Sequence, residues 1–156
     1  DGPIARRTRG RSKALGTFGG ALDSLVDIVS LGVLPAVVLL SYGAFSPWFL
    51  PGAVLVVAAG VVRLAYFDVF GLEGGTTYTG LPLDINGLLL TIVFLFEGLV
   101  APGIFRGVLY GLLVLLAGLN VSSLPVPKMV GVWYVVVTAY VLAATTAYGA
   151  MLWYAT

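Results

Sequence analysis

The sequence predicts an all-α protein, a polytopic bundle of transmembrane helices, and two observations carry that prediction. Of 156 residues only 8 Lys/Arg and 7 Asp/Glu are charged, while 60% are hydrophobic. An average soluble domain is about 25% charged, and a small one needs polar groups to cover its large surface. The second observation is where the charges are missing. Residues 28–62, 107–127 and 129–156 hold no charged side chain, and each stretch suffices for the roughly 20 apolar residues that cross a bilayer as a helix. A disordered tail, a basic nucleic-acid binder and almost any soluble globular domain are excluded. The chain has no Cys and no His, which leaves acid–base chemistry to carboxylates.

Five hydrophobic segments follow a polar start, at 18–43, 48–71, 83–101, 103–121 and 129–155, and each reads as a full spanning helix. The first follows Gly10 and Gly16, which suit a turn, and stops before Ser46-Pro47. The second opens at Trp48 and Phe49 and ends ahead of Gly74-Gly75. The third lies between Gly80-Leu81-Pro82 and Pro102-Gly103, and the fourth runs toward Pro125-Val126-Pro127. The fifth closes on Trp153 and Tyr154, which with Trp48, Phe49 and Trp133 read as interfacial anchors. Val-rich runs such as Val54 to Val62 favour strands in water, but in lipid a helix satisfies its own backbone and that requirement wins. Gly is abundant at 21 residues, as suits closely packed membrane helices.

Arg6, Arg7, Arg9, Arg11 and Lys13 hold five of the eight cations, so the positive-inside bias puts the 7–16 loop in the cytoplasm. Threading onward, the 72–82 loop and Lys128 fall on the same side, and the C-terminal end falls outside. Arg106 is then the one cation against the bias, within reach of Glu97. Asp1, Asp23, Asp27, Arg63, Asp68 and Asp84 all fall at or near cytoplasmic helix ends. Charges in a membrane are costly unless paired or hydrated, so the six suggest one cytoplasm-facing site.

Asp23 and Asp27 are spaced i and i+4 and share a helix face. Like charges so placed repel strongly in a low dielectric and require something positive beside them. With oxygen donors alone, that partner is Mg²⁺, Mn²⁺ or Ca²⁺. The alternative is a solvated helix entrance capped by the basic loop. Gly2, Ala5 and Gly19 are small enough for a ligand or another backbone to approach closely.

Asp1-Gly2-(x2)-Ala5-Arg6 and Gly19-(x3)-Asp23-(x3)-Asp27 resemble the signature of the CDP-alcohol phosphatidyltransferases, D-x-x-D-G-x-x-A-R followed by G-x-x-x-D-x-x-x-D. The twelve-residue spacer between Arg6 and Gly19 is longer than the family's usual one. The family's first Asp falls three residues before Asp1, so the chain is expected to be a single transmembrane catalytic domain, 1–156, that holds only the end of a preceding helix and lacks that first Asp. The resemblance implies at least six membrane helices in the family, usually a homodimer, and metal-dependent displacement of CMP from a CDP-linked lipid. It implies that Asp1, Asp23 and Asp27 hold Mg²⁺ or Mn²⁺, two ions in all, with Asp27 also the general base. It further implies that Gly2, Ala5 and Gly19 line the cytidine pocket and that Arg6 meets nucleotide or phosphate.

Asp23-Ser24-Leu25-Val26-Asp27-Ile28-Val29-Ser30-Leu31-Gly32-Val33-Leu34-Pro35-Ala36, Arg63-Leu64-Ala65-Tyr66-Phe67-Asp68 and Gly80-Leu81-Pro82 resemble runs of phosphatidylserine and archaetidylserine synthases. Departures are Tyr66 for Arg, Asp68 for Asn and Asp84 where a second Pro is common. This branch implies L-serine as acceptor, and CDP-diacylglycerol or an archaeal CDP-lipid as donor. Ser30 either points into the site or bonds back to its own helix. Pro35 either kinks the helix or is simply tolerated. Arg63 binds a phosphate or the serine carboxylate, or pairs with an acid such as Asp68. Asp68 and Asp84 hold the serine ammonium or sit in the interface. Glu97, Arg106 and Lys128 read as structural or interfacial. The partners expected are thus these substrates and membrane lipids, with no nucleic acid, at the cell membrane.

Three rivals are open. Glycerol 3-phosphate or inositol phosphate acceptors need more cations than are available here. A cation transporter using Asp23 and Asp27 predicts acids reaching both leaflets. A non-catalytic scaffold has no use for the Asp/Gly/Ala spacing.

Overall fold

The computed structural model describes residues 12–72, 76–128 and 131–155. Asp1, Gly2, Ala5 and Arg6, with Arg7, Arg9 and Arg11, lie outside the described residues.

Ser12 starts the first helix, its hydroxyl accepting from the Leu15 amide. Helix α1 (Lys13–Asp27) passes without a break through a π-helical segment, Ile28–Val33, into α2 (Leu34–Tyr42). The widened turn has a cause in the sequence. Pro35 lacks an N–H and its ring crowds the preceding turn of a regular helix. Lengthened hydrogen bonding, with the Leu34 amide reaching back to Val29, relieves that crowding without ending the helix.

A turn at Gly43 to Ser46 and a 3₁₀ turn at Pro47–Phe49 lead into α3 (Leu50–Phe70). Its 21 residues give about 31 Å, enough to cross a bilayer core. Its buried face carries Gly52, Ala53, Val56, Ala59, Gly60 and Arg63, a stripe of small residues at helical spacing that lets backbones approach. At Gly60 a Cβ would meet Ile28 at 3.0 Å, so the π-helical segment packs directly on α3.

Helix α4 (Leu83–Leu95) starts after Pro82, and α5 (Pro102–Asn120) places Pro102 in its first turn, where no amide is needed. Leu39, Val56, Ala59, Leu90, Phe105, Leu109, Leu113 and Ala117 from α2 to α5 make one core. The final helix, α6 (Val132–Ala155), is mostly exposed and meets α4 through two hydroxyls. Tyr140 donates to the Leu88 carbonyl at 2.8 Å and Tyr148 to that of Thr91 at 2.7 Å. Leu142, Leu152 and similar exposed residues of α6 suit contact with lipid.

Four stretches are long and apolar enough to cross a membrane: Ala14–Tyr42, Pro47–Phe70, Pro102–Asn120 and Val132–Trp153. The all-α polytopic bundle is therefore as expected, and the chain is a multi-pass membrane protein. The expectation of five full spans needs correction at the third. Helix α4 has 13 residues, about 20 Å, and falls short of a hydrocarbon core of about 30 Å. It stops at Phe96, and the chain turns through a 3₁₀ segment, Glu97–Leu99. Glu97 accepts a hydrogen bond there from the Tyr42 hydroxyl, while Arg106 donates to Pro102 in its own helix. The expected proximity of Glu97 and Arg106 holds, since both line one cavity, but Glu97 is satisfied by a phenol.

A short antiparallel ribbon, unforeseen from the sequence, joins two loops at one end of the bundle. Strand β1 (Thr77–Thr79) pairs with β2 (Pro125–Pro127), with Tyr78 opposite Val126. The Lys128 amide donates to Thr76 and the Gly80 amide to Leu124, each at 2.8 Å, closing the ribbon at both ends. Gly80 has φ +79°, and a Cβ there would lie 2.5 Å from the Asn120 carbonyl oxygen. Only glycine fits that position without strain.

Candidate active site

The end of the bundle that carries the ribbon also carries most of its charge. A cleft of about 560 Å³ opens there, lined by Asp23 and Asp27 of α1, Arg63 and Phe67 of α3, Tyr78 of β1 and Asp84 of α4. Lys128 and Tyr134 close it from the segment after β2 and the start of α6. Residues 105 positions apart in sequence, Asp23 and Lys128, thus share one wall-to-wall space.

Each side chain arrives for a local reason. Asp23 and Asp27 are one turn apart on a continuous helix, so both face the same way. Asp23 is exposed and Asp27 half-buried, and neither has a hydrogen-bond or ion-pair partner among the described residues. Asp84 sits in the first turn of α4, where the helix dipole favours a negative charge.

Arg63 is only 5% exposed, the most buried charge among the described residues. Its Nε donates to the Leu81 carbonyl at 3.1 Å, and its guanidinium stands 5.8 Å from the ring centres of both Phe67 and Tyr78. The cation is thereby held by a backbone acceptor and two π faces. The alternative role, an ion pair with Asp68, is not seen among the described residues. Burial pushes the Tyr78 phenol above its ordinary range, helped by the Asp84 carboxylate and opposed by Arg63, so Tyr78 is a neutral hydrogen-bonding group at physiological pH.

The other expected site residues are placed differently. Asp68 is exposed outside the cleft and accepts from the Ser24 hydroxyl at 3.0 Å on both carboxylate oxygens. Ser30 donates to the Val26 carbonyl at 2.7 Å, the bond back to its own helix, and does not line the cleft. Gly19 lies one turn before Asp23, half-exposed, outside the cleft lining.

Carboxylate oxygens are hard donors and fit Mg²⁺ or Mn²⁺ in kind. Asp23 and Asp27 supply part of such a set, and among the described residues no three carboxylates stand close enough to hold an ion. Asp1, the third expected ligand, lies outside them.

Tyr78 and Tyr134 of the cleft were not expected there, and Lys128 was expected to be structural or interfacial. For Lys128 a signal existed. It is the only charge between 107 and 156, and a lone charge in so apolar a stretch marks a polar cavity.

Comparison with known proteins points in one direction. The chain is 37% identical over 97 residues to an archaetidylserine synthase of Methanothermobacter thermautotrophicus, covering 61% of the chain and 40% of that protein. It is 38% identical over 91 residues to a CDP-diacylglycerol–serine O-phosphatidyltransferase of Methanocaldococcus jannaschii, covering 58% and 41% respectively. A protein of the latter name from Helicobacter pylori is 30% identical over 133 residues, 82% of the chain and 54% of that protein. The chain thus spans about half, or less, of the length of the curated relatives it matches. No protein-family model matches it, and no solved structure matches it significantly. The relatives bear out the resemblance carried by the motifs: this chain is homologous to the CDP-diacylglycerol–serine O-phosphatidyltransferases and to archaetidylserine synthase.

Proposed function

We propose that the protein of which this chain is part transfers a phosphatidyl-type group from a CDP-linked lipid to L-serine and releases CMP. The observation that carries the reading is the convergence of Asp23, Asp27, Arg63 and Asp84, all drawn from the motif-bearing segments, on one cleft. The names of the relatives support it.

In this reading the serine hydroxyl oxygen attacks the lipid-bearing phosphorus. The bond from that phosphorus to the bridging oxygen breaks, CMP leaves with the electron pair, and the hydroxyl proton passes to the Asp27 carboxylate. Asp1, Asp23 and Asp27 would hold the divalent ions, Mg²⁺ or Mn²⁺, which when bound would supply charge neutralisation at the pyrophosphate. Asp27 is half-buried and lines the cleft, and one turn of helix fixes its distance from Asp23. Arg63 does not reach for ligand in this arrangement: it holds the loop at Leu81 against α3, and so sets where Tyr78 and Asp84 stand.

Polyol-phosphate acceptors fit less well. They bring a second phosphate dianion, and the cleft faces it with three carboxylates and one buried, engaged arginine beside Lys128. A transporter needs acids along a path, whereas Glu97, at the other end of the described residues, is bound to Tyr42. With the basic loop in the cytoplasm, the cleft faces the cytoplasm. The homodimer implied by the resemblance belongs to the same proposal.

The test is an acceptor screen on the full-length protein with CDP-diacylglycerol and Mn²⁺ or Mg²⁺. CMP release with L-serine is expected. Release only with a polyol phosphate overturns the choice of acceptor.

A further inference from the structure

Asp84 and Lys128 share the cleft with Asp23 and Asp27 but come from α4 and the segment after β2 rather than from α1. Unlike Asp23 and Asp27, they also line an adjoining cavity of about 270 Å³, with Tyr78, Pro82, Trp133 and Tyr134. Both are anchored through the backbone. Lys128 follows β2 directly and its amide is bonded to Thr76, while Asp84 follows Pro82 in the first turn of α4. No ion pair joins them to each other among the described residues. A carboxylate and an ammonium held on one wall without neutralising each other form a complement to a zwitterion.

Arg63 does not fill the cationic role. Its guanidinium is buried, bonded at Nε to Leu81 and covered by Phe67 and Tyr78. Lys128 is half-exposed and, among the described residues, its main-chain amide alone is engaged. A polyol phosphate, which has no ammonium, leaves Asp84 without a partner and adds to the negative charge. An α-amino acid satisfies both groups at no change of net charge.

Resting on the serine-acceptor reading above, we propose that Asp84 and Lys128 form the subsite for the amino-acid acceptor: Asp84 takes its α-ammonium and Lys128 its α-carboxylate. The acceptor hydroxyl is thereby directed across the cleft toward Asp27. The β1–β2 ribbon is the device that sets Lys128 in register, so acceptor specificity is written partly in the loop before α6 rather than in the motif helix.

The test is steady-state CMP release by the full-length protein in mixed micelles, varying L-serine, L-serine methyl ester and CDP-diacylglycerol separately. Lys128→Met is expected to raise KM for L-serine about tenfold or more, the loss typical of a charge-assisted hydrogen bond, while KM for CDP-diacylglycerol stays within about twofold. The methyl ester, which has no carboxylate charge, should be used equally by wild type and Lys128→Met. Lys128→Arg should restore most of the serine KM, which a merely structural role would not require. Asp84→Asn should raise KM for both serine and its ester. A Lys128→Met enzyme whose serine KM is unchanged, or whose CDP-diacylglycerol KM rises instead, overturns the assignment while leaving serine as acceptor. Wild-type protein that releases no CMP with serine overturns the acceptor reading itself, and this subsite with it.

Discussion

The hydroxyl of Ser24 lies 3.0 Å from each carboxylate oxygen of Asp68, tying the last turn of α1 to the end of α3 across 44 residues of sequence. Ser24 is flanked by Asp23 and sits three residues before Asp27. The tether therefore orients the helix that presents both carboxylates to the cleft. Asp68, an acceptor-binding candidate by sequence, is a positioning residue by geometry. Asp68→Ala should lower stability by about 1 kcal/mol, as for an exposed hydrogen bond to a charged acceptor, and reduce turnover only a few-fold. Thermal unfolding in detergent together with CMP release checks this. A rise in serine KM as large as that of Asp84→Asn would return Asp68 to the acceptor site.

Asp27→Asn removes the proposed base and one oxygen charge from the cleft with almost no change of shape. Turnover should fall by about 10²-fold or more, the range for loss of general-base catalysis. Size-exclusion behaviour and helical content should match wild type. Full activity in a folded Asp27→Asn protein would sink the assignment.

Arg63 gives a contrasting expectation. Arg63→Met leaves the half-buried Leu81 carbonyl without its donor and strips a cation from two aromatic faces, a loss of about 2–4 kcal/mol. Arg63→Lys should recover only part of it, because a lysine has no planar fork to serve the carbonyl and both rings together. The melting temperature of the purified variants distinguishes the two.

Gly80→Ala forces a Cβ toward the Asn120 and Ser122 carbonyl oxygens at a φ of +79°. The cost should be about 1–3 kcal/mol, within the range for local backbone strain, and the ribbon should shift. Since Lys128 follows that ribbon, serine KM should rise while KM for the CDP-lipid holds. Kinetics on both substrates measure the split.

Chelation supplies the last expectation. Removing divalent ions with EDTA should abolish CMP release, and Mn²⁺ or Mg²⁺ should restore it, since unneutralised carboxylates and pyrophosphate repel each other in a low dielectric. Undiminished turnover in EDTA would contradict the metal assignment.

Much of this was legible in the sequence because a membrane leaves few choices. Charge-free stretches and Gly/Pro punctuation located each helix, with the end of the third set six residues too late, and the placement of Arg63 and Asp84 beside Asp23 and Asp27 followed from counting spans. What escaped depends on tertiary geometry. Ser24 and Ser30 differ by six residues, yet one reaches Asp68 and the other its own backbone, a distinction set by the path of α3. Beyond the early end of α4, Glu97 is engaged by Tyr42, 55 residues away in sequence. The ribbon pairs two prolines with two threonines, and neither segment has the alternating pattern that announces a strand.

The π-helical segment Ile28–Val33 does more than accommodate Pro35. In a regular helix each residue advances the azimuth by about 100°, so one residue of slack in the middle of a rod re-aims everything downstream. Upstream, the rod directs Asp23 and Asp27 at the cleft; downstream, it turns Pro35, Ala36 and Leu39 into the core. Deleting one residue between Ile28 and Val33 would make the helix regular and leave two faces of the same rod competing for one direction. The segment works as a phase shifter, letting a single crossing of the membrane serve chemistry at one end and packing at the other.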